Sequence, residues 1–106
     1  MTPRLLVAHS RSEVIDALSQ ILAPREIRAA SDGLAAVAEA EGTVFDCVLI
    51  EHPLRGVEAP VVARWLRDAA VICPLLVIAE GMAEGERRTL EATLGEGCTV
   101  LTSGET

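Results

Sequence analysis

The feature that most restricts this chain is the rhythm with which short, wholly apolar runs alternate with segments of helical period. Residues 5–8, 47–50 and 75–79 are apolar at consecutive positions. Runs of that length are too short for helices, and they lack the every-other-residue alternation of a strand with one wet face. They fit strands covered on both sides, as in parallel sheets with helices above and below. Two weaker strands over 27–30 and 99–102 complete a set of five, with the third predicted over 45–50. Between the first two strands, Val14, Ile15, Leu18, Ile21 and Leu22 recur on one helical face. Ser10-Arg11-Ser12-Glu13 has the S-x-x-E form in which Ser10 would cap that helix, and Pro24 is expected to end it. Ser31-Asp32-Gly33 turns into an alanine-rich helix over 34–41, closed by Gly42. Pro60 suits the first turn of a third helix, which is expected to bury Val61, Val62, Trp65, Leu66 and Ala69. A fourth over 85–94 would turn Leu90 and Leu94 inward and Arg87 and Arg88 outward. Strand–helix alternation of this kind predicts a doubly wound parallel α/β sheet. Its 106 residues are one domain's worth of chain, spanning 1–106 without linker or repeat.

Composition then removes whole classes of function. Acids outnumber bases by 16 to 9, for a net charge of −7, and the only aromatic residues are Phe45 and Trp65. Such a surface repels phosphate backbones and cannot stack bases, so direct nucleic-acid binding is not expected. All nine bases are arginine. Without lysine there is no Schiff-base chemistry and no lysine clamp for phosphate. Cys47, Cys73 and Cys98 are widely spaced with no C-x-x-C pair, and read as small buried apolar residues in a reducing compartment. No apolar run reaches membrane-spanning length and the N-terminus has no signal-peptide pattern, so a cytoplasmic location is expected.

Taken in order, several stretches resemble the receiver domain of bacterial response regulators, over essentially the whole chain. Residues 4–10 (RLLVAHS) resemble the family's first strand and the acidic pair at its end. Ala30-Ser31-Asp32-Gly33 resembles the common A-S-D-G lead-in to the second helix. Val48-Leu49-Ile50-Glu51, followed by Leu54-Arg55-Gly56-Val57-Glu58, resembles the phosphoacceptor strand and its loop. Residues 75–79 and 100–104 resemble the fourth and fifth strands. The resemblance implies a flavodoxin-like fold with strand order 2-1-3-4-5.

At the family's chemical positions, however, this chain carries other residues. His9 and Ser10 stand where two acids would hold magnesium, and Glu51 stands for the phosphoacceptor aspartate. Ala79 occupies the switch hydroxyl position, Ser103 that of the phosphate-binding lysine, and Gly104 that of the following proline. Receiver phosphorylation needs a hard cation held by carboxylates, a cationic clamp and a hydroxyl that follows the phosphoryl group. Five coordinated replacements predict a pseudo-receiver: no enzyme, no cofactor and no resident metal. The implied role is a bacterial two-component or phosphorelay signalling module acting through protein contacts. Its expected partners are a second copy, a histidine kinase, a phosphotransfer protein or an output domain.

The polar residues also admit other readings. Glu51 could stand in for a phosphorylated aspartate, or simply pair with Arg55. His9, Glu51 and His52 lie near the ends of the first and third strands, where ligands bind in this sheet order. A small-ligand or metal sensor at that corner is the alternative to a contact module. Arg87 and Arg88 could grip a phosphorylated ligand, or, with Leu101, belong to an interaction surface on the fourth helix and fifth strand. The sequence also stops four residues after the fifth strand, with no fifth helix. Strands whose Val48, Ile50, Leu76 and Ile78, or their alternates, face that side would then be bare. Self-association, or further chain beyond Thr106, is expected to cover them.

Overall fold

The computed structural model describes residues 3–23 and 25–103. Its elements follow in strict alternation: β1 (Arg4–Ala8), α1 (Ser12–Leu22), β2 (Glu26–Ala30), α2 (Gly33–Gly42), β3 (Cys47–Glu51), α3 (Ala59–Asp68), β4 (Leu75–Glu80), α4 (Glu84–Leu94) and β5 (Cys98–Ser103). The five strands are all parallel, in the order β2-β1-β3-β4-β5. The expected fold class and strand order hold, with boundaries moved by a residue or two. Pro24, Gly104 and the last two residues lie outside the described residues, and α1 has already ended at Leu22.

The two faces of the sheet are covered unequally. Right-handed crossovers put α1 on one face and α2, α3 and α4 on the other. The three-helix face holds the core: Leu6, Ala8, Val48, Ile50, Leu75, Val77 and Ala79 pack with Ala36, Val62, Leu66 and Leu90. Burial in β3 and β4 therefore alternates strictly, although their sequences do not. Of the residues expected on the open side, Leu76 and Ile78 are there, whereas in β3 it is the alternates: Val48 and Ile50 point into the full core, and the sparsely covered side carries Cys47, Leu49, Leu76, Ile78 and Leu101. Leu5 and Val7 on that side are buried, Cys47, Leu49, Leu76 and Ile78 are half-buried, and Leu101 is exposed. No residue of α1 is fully buried.

Local chemistry accounts for two further departures. Ser10 does not cap α1; Arg11 holds the N-cap position and makes no side-chain cap bond. The Ser10 N–H is instead spent on a carboxylate from β3, 2.8 Å away. In α3, Val62 and Leu66 are buried as expected, whereas Val61 is exposed and Trp65 and Ala69 only half-buried. Trp65 lies against Gly33 at the start of α2, where an added Cβ would meet its Cζ3 at 2.7 Å. Asp32 fixes that start by accepting the Ala35 N–H at 2.8 Å. The cysteines are half-buried, not fully buried. Burial, with a smaller contribution from the nearby Cys73 thiol, pushes the Cys47 thiol up, and burial also raises that of Cys73.

Because Trp65 is the only tryptophan and there is no tyrosine, its emission reports this packing directly. Gly33→Ala should overpack the α2–α3 contact and destabilise the fold by about 1–3 kcal/mol, read by urea unfolding followed through Trp65 fluorescence. An unchanged midpoint would mean that the helices separate without cost.

Candidate functional site

The carboxyl ends of β1 and β3 are adjacent, with Ala8 in register with Ile50, so the next residues, His9 and Glu51, meet at the sheet's edge. His9 is held from three directions. Its backbone N–H donates to the Ala30 carbonyl at 3.0 Å, its side chain is only 4% exposed, and its Nδ1 accepts the Arg11 N–H at 3.1 Å. A nitrogen that accepts carries no proton, which places the proton of the neutral ring on Nε2. Glu51 reaches across from β3, and its Oε1 accepts the Ser10 N–H at 2.8 Å while lying 3.7 Å from His9 Nδ1. The carboxylate therefore ties the end of β3 directly to the β1–α1 loop. A charge-assisted bond of this length is among the stronger ones a surface loop can make.

The remaining positions do not join this link. Ala79 is buried and Ser103 lies opposite Glu80 in register. Arg55 does not pair with Glu51. Residues 54–57 form a tight turn in which Leu54 and Val57 exchange backbone hydrogen bonds, with Arg55 (φ 49°) and Gly56 (φ 81°) both left-handed. That turn sends the Arg55 Nε to the Ser31 carbonyl at 2.8 Å. His52 turns away as well: its Nδ1 accepts the Ala59 N–H at 2.9 Å, satisfying one of the orphan donors at the start of α3. Its ring lines an open groove of about 420 Å³ with Glu58, Pro60, Glu86 and Leu90, between α3 and α4. The three residues of the proposed corner thus do not converge, and no group of three or more metal-ligating side chains lies together among the described residues.

The residues that meet here do not fit a magnesium ion: His9 and Ser10 bring no carboxylate, and one oxygen of Glu51 is already bonded to a backbone N–H. A hard dication takes oxygen ligands, and the nearest imidazole nitrogen is buried with its lone pair engaged.

Arg87 and Arg88 are not a free cationic grip. Arg87 Nη2 lies 2.6 Å from Glu84 and its Nη1 3.2 Å from Glu91, and Arg88 Nε lies 3.1 Å from the same Glu84. Glu91 also accepts the Val100 N–H at 2.9 Å, fastening α4 to β5. Sequence reasoning missed this tie and the His52 cap. The i,i+3 and i,i+4 spacing of Glu84, Arg87, Arg88 and Glu91 was the available signal for the Arg–Glu pairs along α4, whereas the two bonds to backbone N–H groups carry none.

No protein-family model matches the chain, and no curated protein sequence matches it. Solved structures do. The chemotaxis protein CheY4 of Vibrio cholerae superposes with a TM-score of 0.82 at 17% identity, covering 100% of this chain and 90% of that one. A CheY-like response regulator receiver domain from Methanospirillum hungatei gives 0.81 at 17% identity, covering 100% and 85%. The receiver domain of the Francisella response regulator 1452 gives 0.78 at 13%, covering 93% and 84%.

Two outcomes follow from this geometry. Glu51→Ala strands the Ser10 N–H and should cost about 1 kcal/mol in urea unfolding, with faster amide exchange at Ser10, while Glu51→Gln retains an acceptor and costs less. On α4, the guanidinium groups of Arg87 and Arg88 hold the Glu84 carboxyl down from 4.5 to about 2. A lowered value favours the folded pairing above pH 4.5, and the benefit disappears as pH falls toward 2. An NMR titration of the Glu84 carboxyl carbon should show that low midpoint. These solved structures and the strand order together give the chain the fold of the response-regulator receiver domains.

Proposed function

We propose that this chain is a receiver-like signalling module that works through protein contacts and transfers no phosphoryl group. The observation that carries the reading is the Glu51–Ser10 link beside the buried His9. The place where phosphoryl chemistry would need a metal-binding acid pair is filled by an imidazole whose Nδ1 is occupied, and the one carboxylate is bonded to backbone. The other chemical positions point the same way: Ala79 offers no hydroxyl, and the chain contains no lysine at all. On this reading the protein is not an enzyme, carries no cofactor, and acts in the cytoplasm of a bacterium. No helix among the described residues is long and apolar enough to cross a membrane.

The contact surface is the sparsely covered sheet face with its neighbours. Leu49, Leu76, Ile78 and Leu101 lie side by side across β3, β4 and β5, and Ile21 on α1 is exposed. A contiguous apolar face of this kind is satisfied by association, and a second copy is the simplest occupant. On the other side of the sheet, Arg88 and the outer side of α4 would serve a kinase, phosphotransfer or output partner.

One experiment tests both halves: light scattering on a size-exclusion column across a hundredfold concentration range, with and without acetyl phosphate and magnesium, followed by intact mass measurement. The expected result is a dimer whose mass ignores acetyl phosphate, with no phosphoryl adduct. An adduct would sink the loss of phosphoryl transfer, and a monomer throughout would sink the homodimer.

A further inference from the structure

Of the six large hydrophobic side chains exposed among the described residues, four lie on or just after α2 and α3, on the opposite side from the open sheet face. Leu34 (73% exposed) and Val61 (42%) lie on the outer sides of the two helices, and Val44 (86%) and Ile72 (93%) sit on the loops that follow them. Between them runs a groove of about 280 Å³ lined by Leu34, Val37, Glu41, Trp65, Asp68 and Ala69. Its α2 wall is Leu34, Val37 and Glu41 and its α3 wall Trp65, Asp68 and Ala69, each set spaced along one helical face. A separate pocket of about 90 Å³ is lined by Val44, Phe45, Ala70 and Ile72. The Trp65 side of the groove lies close against Gly33, where an added Cβ would meet its Cζ3 at 2.7 Å.

The charge of the groove is directional. Both helices return antiparallel to the strands, so their carboxyl ends lie at the same end of the trough. Glu41 is in the last turn of α2 and Asp68 ends α3. Neither makes an ion pair or side-chain hydrogen bond among the described residues. The last turn of α2 has no basic residue. Arg67, the basic residue in that of α3, spends Nη1 on the Val71 and Cys73 carbonyls. Two unpaired carboxylates and two negative helix ends therefore face whatever lies in the groove.

We propose that the α2–α3 groove docks an amphipathic helix of a partner protein, seating its apolar stripe on Leu34, Val37 and Trp65 and a lysine or arginine of its flank against Glu41 and Asp68. Two turns of helix span the distance from Leu34 to Glu41, about 10 Å, and the exposed Val44 and Ile72 extend the contact beyond them. Apolar burial supplies the attachment, and the carboxylates select a basic partner and fix its direction. The surface is separate from α4, β5 and the open sheet face. It stands whether or not phosphoryl transfer has been lost, because no residue of the groove belongs to the site at the ends of β1 and β3.

The test uses two helical peptides free of tryptophan and tyrosine, with identical leucine stripes and flanks of lysine or of glutamate, and reads Trp65 emission in the full chain. The lysine peptide should shift the emission and bind at least about tenfold more tightly than the glutamate peptide at low salt, the gap narrowing in about 0.5 M salt. The double variant Glu41→Lys, Asp68→Lys should reverse the preference. Leu34→Ser, at an exposed position where folding is not at stake, should weaken both peptides. The proposal is overturned if neither peptide moves the emission, or if both bind alike to the parent and the double variant. It is equally overturned if the emission shifts with protein concentration alone and peptide cannot compete, since the occupant would then be a second copy.

Discussion

A five-stranded parallel sheet must be dried on both faces, and nearly everything about this molecule follows from how unevenly that is done. Three helices serve one face and one serves the other. The three-helix side collects the fully buried side chains of β1, β3 and β4, and there a lost methylene would be felt. The opposite side is dry only over Leu5 and Val7 and grows wetter through Leu49 and Leu76 to Leu101 at the edge strand. The two edge strands differ as well. β2 carries Glu26 and Arg28, paired with each other and with Arg4 and Glu39, whereas β5 reads CTVLTS with no charge at all. Charged edges resist strand-to-strand association better than uncharged ones, so the sparsely covered face and the edge strand without charged residues of its own both lie toward β5, where Glu91 of α4 covers the Val100 N–H. On the proposed reading this is where contacts belong.

The alternation of apolar runs and helix-period segments was enough to read the strands, the helices and the parallel class, because each run is long enough to exclude a helix and each helix has a periodic face. What the runs could not reveal is which face each residue takes. In a strand apolar at every position, such as Cys47 to Ile50, there is no polar partner to mark the outside, and shifting by one residue exchanges the faces. The apolar run leaves Val48 and Ile50 and their alternates equally eligible for the open side, and the structure puts Val48 and Ile50 on the closed one. Trp65 was misread for a related reason. Large aromatic residues on a helix that faces a sheet are usually core, but Gly33 lets α2 approach so closely that the ring is clamped edgewise and left half in solvent.

The site was legible as a set of positions and not as a set of bonds. His9, Ser10 and Glu51 do meet where the resemblance places them, because strand register fixes it. Their partners are backbone groups, which carry no sequence signal: the Arg11 N–H for His9, the Ser10 N–H for Glu51 and the Ala59 N–H for His52. The S-x-x-E pattern at Ser10 misled for the same reason, since the carboxylate that engages that residue comes from 41 positions away. Arg87 and Arg88 show the opposite case: the helical spacing of Glu84, Arg87, Arg88 and Glu91 carried a signal for their carboxylate partners that the reading of the two arginines as a phosphate grip did not use.

The Glu51 link bears directly on how such a module could signal. A carboxylate that must be modified to bond its neighbour gives two states, one of them made by the modification. Here the bond from β3 to the β1–α1 loop is already closed, at 2.8 Å, by the side chain encoded at that position. Buried His9 beneath it holds the same loop through Arg11, so opening the link would leave more than one polar group unpaired. A ligand can shift an equilibrium only if it binds the two states differently, and a site closed from within offers a phosphoryl donor little to discriminate. On the proposed reading, variation in state comes from what occupies the surfaces. The two proposed surfaces differ in character: an uncharged apolar face for a second copy, and an acid-ended groove for a basic helix. Because they lie on opposite sides of the sheet, one copy can engage both at once, and a dimer would present two outward-facing grooves to its partners.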